Sequence, residues 1–134
     1  MKKLKFIIII LMLLSGKVFS NSPNIEVVDS MDNRIVISNE VNKIISLHGS
    51  ISEIICALDQ SEKIIAVTDS DTYPPVLKSK LKVGRQMNPS IEKIVSLKPD
   101  LILTSCTRKS QLLFLEKIKQ YNIPIVVISS FKSN

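Results

Sequence analysis

Tryptophan is missing from this sequence, and aromatic residues make up only 4% of it against 45% hydrophobic residues overall. The core therefore has to be aliphatic, built from Ile, Leu and Val, which suits a parallel or mixed sheet under helical cover. Only three glycines occur, and no Gly-x-Gly-x-x-Gly follows any apolar run, which argues against a dinucleotide enzyme. Cysteine is limited to Cys56 and Cys106, neither with a His or Cys at metal-ligand spacing. Cys56 falls in a helical pattern and Cys106 just past a strand, so both read as buried free thiols rather than as a disulfide. The one histidine, His48, stands beside Gly49 and reads as structural. Ser46, Ser50 and Ser52 lack the Gly-x-Ser-x-Gly setting of a nucleophile elbow. No acid, base and nucleophile come together, so the chain reads as a binding module and not as an enzyme.

A clustered basic face is also lacking. The formal charge is +6, but Lys2, Lys3, Lys5 and Lys17 lie in the first twenty residues, which hold no acid. The remainder is close to balanced, which excludes a nucleic-acid partner as the natural reading. Those first residues instead have the order of an export signal. Met1-Lys2-Lys3-Leu4-Lys5 is basic, Phe6 to Leu14 is apolar, and Val18 and Ser20 stand at the two positions a signal peptidase reads. The apolar run is too short for a membrane-spanning helix. We expect a signal peptide over 1–20, cleavage before Asn21, and a soluble monomer in the periplasm over 21–134. No cysteine adjoins the cleavage site, which points away from a lipid anchor.

The 134 residues suffice for one domain. Ile25 to Val28 and Arg34 to Ile37 have the pattern of a hairpin. Lys43 to Leu47, Lys63 to Val67, Leu101 to Thr104 and Ile123 to Ile128 read as short buried strands. Helices are expected at Ile51 to Leu58, opened by a capping box over Ser50 to Glu53, and at Pro89 to Leu97, with Asn88 as N-cap. A third runs from Arg108 to Gln120, with Leu112, Leu115 and Ile118 on its apolar face, widened by Leu113 and Phe114. This alternation predicts an α/β fold, a mostly parallel sheet covered by helices with right-handed crossovers.

Against that background one stretch stands out, Asp69-Ser70-Asp71-Thr72-Tyr73-Pro74-Pro75, placed where the strand Lys63 to Val67 ends. Ligands of open α/β folds bind at the carboxyl ends of strands. Pro74 and Pro75 fix φ, and Pro74 restricts Tyr73 to an extended backbone. The phenol is thus held on a stiff, non-repeating loop that can offer one oxygen to a ligand. On local sequence alone the same residues read first as a turn with an amphipathic Tyr packed on the surface. Glu92, in Ile91-Glu92-Lys93, reads by itself as a solvated charge on the polar side of a short helix.

Ile44-Ile45-Ser46-Leu47, Ser52-Glu53-Ile54, Asp71-Thr72-Tyr73-Pro74-Pro75, Val83-Gly84 and Ile91 to Ile102 follow one another in a familiar order. Together they resemble the amino-terminal lobe of periplasmic substrate-binding proteins that serve iron-chelate, cobalamin and haem importers. The resemblance runs from roughly Arg34 to Ile128. Its most specific part is Ser96-Leu97-Lys98-Pro99-Asp100-Leu101-Ile102-Leu103, and Thr72-Tyr73-Pro74-Pro75 points towards the haemin-binding branch. The resemblance implies one Rossmann-like lobe, half of a two-lobed protein that holds its ligand in the cleft between lobes. It implies that Tyr73 ligates the iron of a transported haem, as a hard anionic phenolate donor suits ferric iron. It also implies that Glu92 docks onto the ABC transporter permease in the inner membrane. An aromatic and then an arginine commonly follow Val-Gly in haem binders. Here Arg85 follows Val83-Gly84 directly, and its reach to a haem propionate is the corresponding expectation. Family members are longer, so the chain is expected to be a truncated product with the connecting helix and second lobe missing. Cobalamin or a ferric siderophore as ligand, or a fragment that binds nothing, are the alternatives the resemblance leaves open.

Overall fold

The computed structural model describes residues 24–38 and 40–128. The expected signal peptide lies outside the described residues. Nine strands and three α-helices occur among those described. An antiparallel hairpin comes first, β1 (Ile25–Val28) with β2 (Arg34–Ile37), Ile25 facing Ile37 and Val28 facing Arg34. Its turn is built on Asp29, whose Oδ1 accepts the N–H groups of Met31 at 2.8 Å and Asn33 at 2.9 Å. Short carboxylates that bond the backbone a few residues on favour such turns.

Five parallel strands form the main sheet: β3 (Ile44–Ser46), β4 (Ile64–Val67), β5 (Leu81–Lys82), β8 (Leu101–Thr104) and β9 (Ile125–Val127), in the order β5-β4-β3-β8-β9. The chain enters at the middle strand, builds outward to β5, then returns to the other side of β3 for β8 and β9. Right-handed crossovers place helices made before and after such a reversal on opposite faces. The core shows this. Alternate residues of β3 point to opposite faces. Ile44 packs in one cluster with Ile51 and Ile55 of helix α1 (Gly49–Ala57) and with Leu77. Ile45 packs in the other with Ile94 of α2 (Ile91–Ser96) and Ile118 of α3 (Lys109–Lys119). The expected α/β lobe with a mostly parallel sheet is the observed fold.

Several boundaries differ from the sequence expectation. Helix α1 begins at Gly49 with His48 as its N-cap, and His48 makes no side-chain capping bond. Ser50 to Glu53 is not a capping box; Ser52 is fully buried and turns its hydroxyl to Ser46 and Asp71, while Glu53 is exposed. Asn88 and Pro89 do not open α2. They form β7 (Asn88–Pro89), paired antiparallel with β6 (Gly84–Arg85), and the N-cap is Ser90, which accepts the N–H of Lys93 at 3.3 Å. Gly84 has φ +105°, a conformation open to glycine, and it joins β5 to the hairpin that turns at Gln86 and Met87. The buried face of α3 runs through Gln111, Leu115 and Ile118, with Phe114 packed beside it, whereas Leu113 is 61% exposed. Gln111 is buried because its Oε1 accepts the N–H groups of Thr107 and Arg108 and its Nε2 donates to the carbonyl of Ser105.

The scarcity of glycine shows at the helix ends. Asp59, Lys98 and Asn122, which follow the three helices, carry the positive φ that closes a helix and that glycine usually supplies.

Candidate functional site

All five strands of the main sheet point the same way, so their carboxyl ends share one edge, and the order reverses between β3 and β8. The crevice outside such a reversal is where open α/β sheets take ligands. His48 follows β3 there, and Ser105 to Thr107 follow β8. The Nδ1 of His48 is buried without a hydrogen-bond partner. Gln86 and Met87, at the turn of the β6–β7 hairpin, line a small gap there together with Leu47, Thr104 and Ser105.

The neighbouring strand β4 leads into the Tyr73 loop, and its root is polar and closed to solvent. Ser46, Ser52 and Thr68 are fully buried and Asp71 is 5% exposed. The Asp71 carboxylate accepts the Thr68 hydroxyl at 2.9 Å on Oδ1 and the Ser52 hydroxyl at 2.9 Å on Oδ2. Ser52 and Ser46 hydroxyls lie 2.8 Å apart. Gly49 borders the cluster so closely that a Cβ there would stand 3.2 Å from Asp71 Oδ1. This group joins the end of β3, the first turn of α1 and the end of β4. It is what the sequence reading missed. The available signal was a polar residue closing each of two aliphatic runs, Ser46 after Ile44-Ile45 and Thr68 after Ile64 to Val67.

Tyr73 itself is 69% exposed, two residues beyond that anchor, and its peptide bond to Pro74 is cis. Pro75 to Ser79 then forms a 3-10 turn, so the loop is partly repeating where an irregular one was expected. Tyr73 and Pro74 line a broad groove of about 590 Å³ with Ser50, Glu53, Ile54, Cys56 and Ala57 along the exposed side of α1. The lining mixes apolar surface with one phenol, one carboxylate, one hydroxyl and one thiol.

Arg85 is exposed on β6, after the adjacent strand, and is not among the residues lining the Tyr73 groove. The ion pair among the described residues is Arg34 with Glu26, so Arg85 has no carboxylate partner there. Glu92 is exposed in the first turn of α2. The three expected site residues thus lie on separate elements: Tyr73 on the loop that follows β4, Arg85 on the short strand β6 that follows β5, and Glu92 on a helix of the opposite face from α1. Both cysteines are free, and they are half-buried rather than buried as expected. Burial pushes both thiols up from their ordinary value, against a smaller downward pull from Lys80 at Cys56 and from the Arg108 backbone at Cys106. Thiols held protonated in this way are poor nucleophiles and poor metal ligands. No group of three or more His, Cys, Asp or Glu side chains that could hold a metal ion occurs among the described residues.

Comparison with known proteins bears on this arrangement. The uncharacterized ABC transporter substrate-binding lipoprotein YvrC of Bacillus subtilis is 35% identical over 106 residues, 78% of this chain and 33% of its own. A vitamin B12-binding protein of Vibrio vulnificus is 35% identical over 85 residues, 63% of this chain and 31% of its own. Among solved structures, the periplasmic heme-binding protein RhuT of Roseiflexus sp. RS-1 in apo form is 31% identical with a TM-score of 0.60, over 67% of this chain and 34% of its own. The chain therefore spans about a third of the length of the curated relatives it matches. A family model described as periplasmic binding protein matches residues 44–129, which hold the whole five-stranded sheet and the Tyr73 loop. This chain belongs to the periplasmic binding protein family.

Proposed function

We propose that this protein is the substrate-binding component of an ABC importer and that it captures haem outside the cytoplasmic membrane for delivery to the permease. The observation that carries the reading is Tyr73, a phenol held exposed at the carboxyl edge of the sheet on a loop whose root is buried and fully hydrogen-bonded. Tyrosine is an established axial ligand for haem iron. Apolar Ile54, Ala57 and Pro74 beside it supply a surface for the flat face of a macrocycle. Arg85, without a carboxylate partner among the described residues, is the cation we assign to a propionate, and Glu92 the acid we assign to permease docking. Export through a signal peptide over 1–20, cleaved before Asn21, belongs to the same proposal. The likeness to RhuT, a periplasmic heme-binding protein, supports haem as the cargo.

A corrinoid is the second reading, favoured by the 35% identity to a vitamin B12-binding protein. Both cargoes are large metallated macrocycles, and one experiment separates them. The purified chain is titrated with haemin and, in parallel, with cyanocobalamin, and visible absorption is followed. Haemin is expected to bind with a tyrosinate-type ferric spectrum. Affinity is expected to be modest, because binding sites for small molecules enclose about 70–90% of the ligand and the Tyr73 groove is open along one side. Tyr73→Phe keeps the ring and removes the oxygen, so it should abolish that spectrum and weaken binding about tenfold or more. Binding of cyanocobalamin alone would transfer the reading to corrinoids. Equal haemin affinity and an identical spectrum in Tyr73→Phe would remove Tyr73 as the ligand, and binding of neither compound would overturn cargo capture by this chain.

A further inference from the structure

The Tyr73 loop is an arch with two feet, Asp71 and Leu77, and one side chain from outside the loop ties the feet together. The ammonium of Lys82, on strand β5, donates to the carbonyl of Asp71 at 2.6 Å and to the carbonyl of Leu77 at 3.2 Å. Each foot is also fixed from within. The Asp71 carboxylate holds the Ser52 and Thr68 hydroxyls, and the Leu77 side chain is fully buried in the cluster formed with Ile51, Ile55 and Val67. Between the feet, Pro74 and Pro75 have no N–H to bond back to the body of the protein.

We infer that Lys82 is a positioning residue for Tyr73: it staples the two feet of the arch so that the phenol is presented in one place before any ligand arrives. The inference rests on the reading of Tyr73 given above. An ammonium has three donors and no acceptor, so one group can satisfy two carbonyls on different turns of the chain. Bonds from a charged donor are stronger than neutral ones. Closing a loop between fixed ends removes chain entropy in advance, and a pre-ordered binding loop loses less freedom when its ligand docks. The bland role for this lysine is to lay its stem along the sheet edge, with the head in water. The two carbonyl contacts set it apart from that role.

The test compares Lys82→Met, which keeps most of the stem and loses the donors, with Lys82→Arg, which keeps cationic donors. In the ligand-free chain, NMR backbone order parameters of Thr72, Tyr73 and Val76 should fall in Lys82→Met, stay near the wild-type values in Lys82→Arg, and leave β3 and β8 unaffected. Order parameters of the arch that do not move in Lys82→Met overturn the staple. Haemin titration then tests its purpose. Lys82→Met should weaken binding about tenfold in the chain that carries Tyr73 and should have no further effect in Tyr73→Phe. An equal loss in both backgrounds would show that Lys82 does not act through Tyr73. If the unaltered chain binds no haemin, the proposed cargo fails, and the order parameters still decide whether Lys82 holds the arch.

Discussion

Asp71 carries a full carboxylate into a place where 5% of its surface meets solvent, and it does so without an ion-pair partner among the described residues. Burying such a group is costly unless its oxygens are hydrogen-bonded. Here Thr68 and Ser52 each donate one hydroxyl, and the backbone N–H of Asp71 donates to the Thr68 carbonyl at 3.1 Å. Truncation to Ala would leave two buried hydroxyls, at Ser52 and Thr68, without that acceptor, although Ser52 retains its contact with Ser46 and Thr68 its contact with Ser70. Asp71→Ala is therefore expected to lower stability by about 2 to 3 kcal/mol, measured by urea unfolding. Ser52→Ala, which removes one donor and leaves Thr68 on the carboxylate, should cost less than half of that. A change in Asp71→Ala of under about 0.5 kcal/mol, the range of ordinary surface substitutions, would show that water replaces these hydroxyls without penalty. Nothing in the spelling Asp69-Ser70-Asp71 tells which aspartate turns inward. That is decided by Ser52, nineteen residues earlier.

At the scale of elements, Asp29 is the joint between the first hairpin and the main sheet. Its Oδ2 accepts the N–H of Val127 on β9 at 3.3 Å, and the N–H of Ser30 donates to the Val127 carbonyl at 3.0 Å. Burial pushes the Asp29 carboxyl up, but the Asn33 side chain and the N–H groups of Asn33, Met31 and Val127 outweigh it, and the net effect is a value below the ordinary 3.8. As pH falls past that ordinary value, the unfolded chain takes up the proton first, so stability decreases with falling pH until the folded carboxyl is protonated too. The Asp29 contribution is thus complete above the unfolded value and is lost progressively as pH falls from there through the lower folded value. Asp29→Asn should flatten this acid limb, seen in melting curves taken from about pH 5 down to about pH 2, and a limb of unchanged slope would assign it to other carboxyls. The elements themselves were readable in unequal measure. Strands β3, β4 and β8 announce themselves because strands covered on both faces become continuous aliphatic runs, and the hairpin by its turn. Strands β5, β6 and β7 have two residues each and exist through backbone pairing, which leaves no side-chain periodicity to read. The pairing of Gly84 with Pro89 also explains why Asn88-Pro89, a good helix opening by sequence, became a strand.

For the whole molecule, the reversal of strand order at β3 and β8 puts α1 on one face of the sheet and α2 and α3 on the other, while loops from both halves meet along one edge. Of the candidate site, the position of the Tyr73 loop was legible because it directly follows an aliphatic strand and two prolines come after the tyrosine. The Lys82 staple was not, because it depends on β5 lying beside β4. The same topology keeps the two proposed sites apart: Tyr73 lines a groove beside α1, whereas Glu92 lies in the first turn of α2 on the opposite face. Glu92 makes no ion pair among the described residues, and α2 is capped by Ser90 and anchored by fully buried Ile94. Its removal takes away one charge near a helix N-terminus and no packing. Glu92→Ala should therefore leave stability within about 0.5 kcal/mol of the unaltered protein, and haemin titration should not change. If Glu92 docks onto the permease, the variant should associate more slowly with the reconstituted importer. The dependence of association rate on salt should also become shallower, because rim charges act mainly on encounter. Association kinetics measured at two ionic strengths decide the matter. Identical rates and identical salt dependence would exclude Glu92 from docking, and a large loss of stability would assign it to the fold instead.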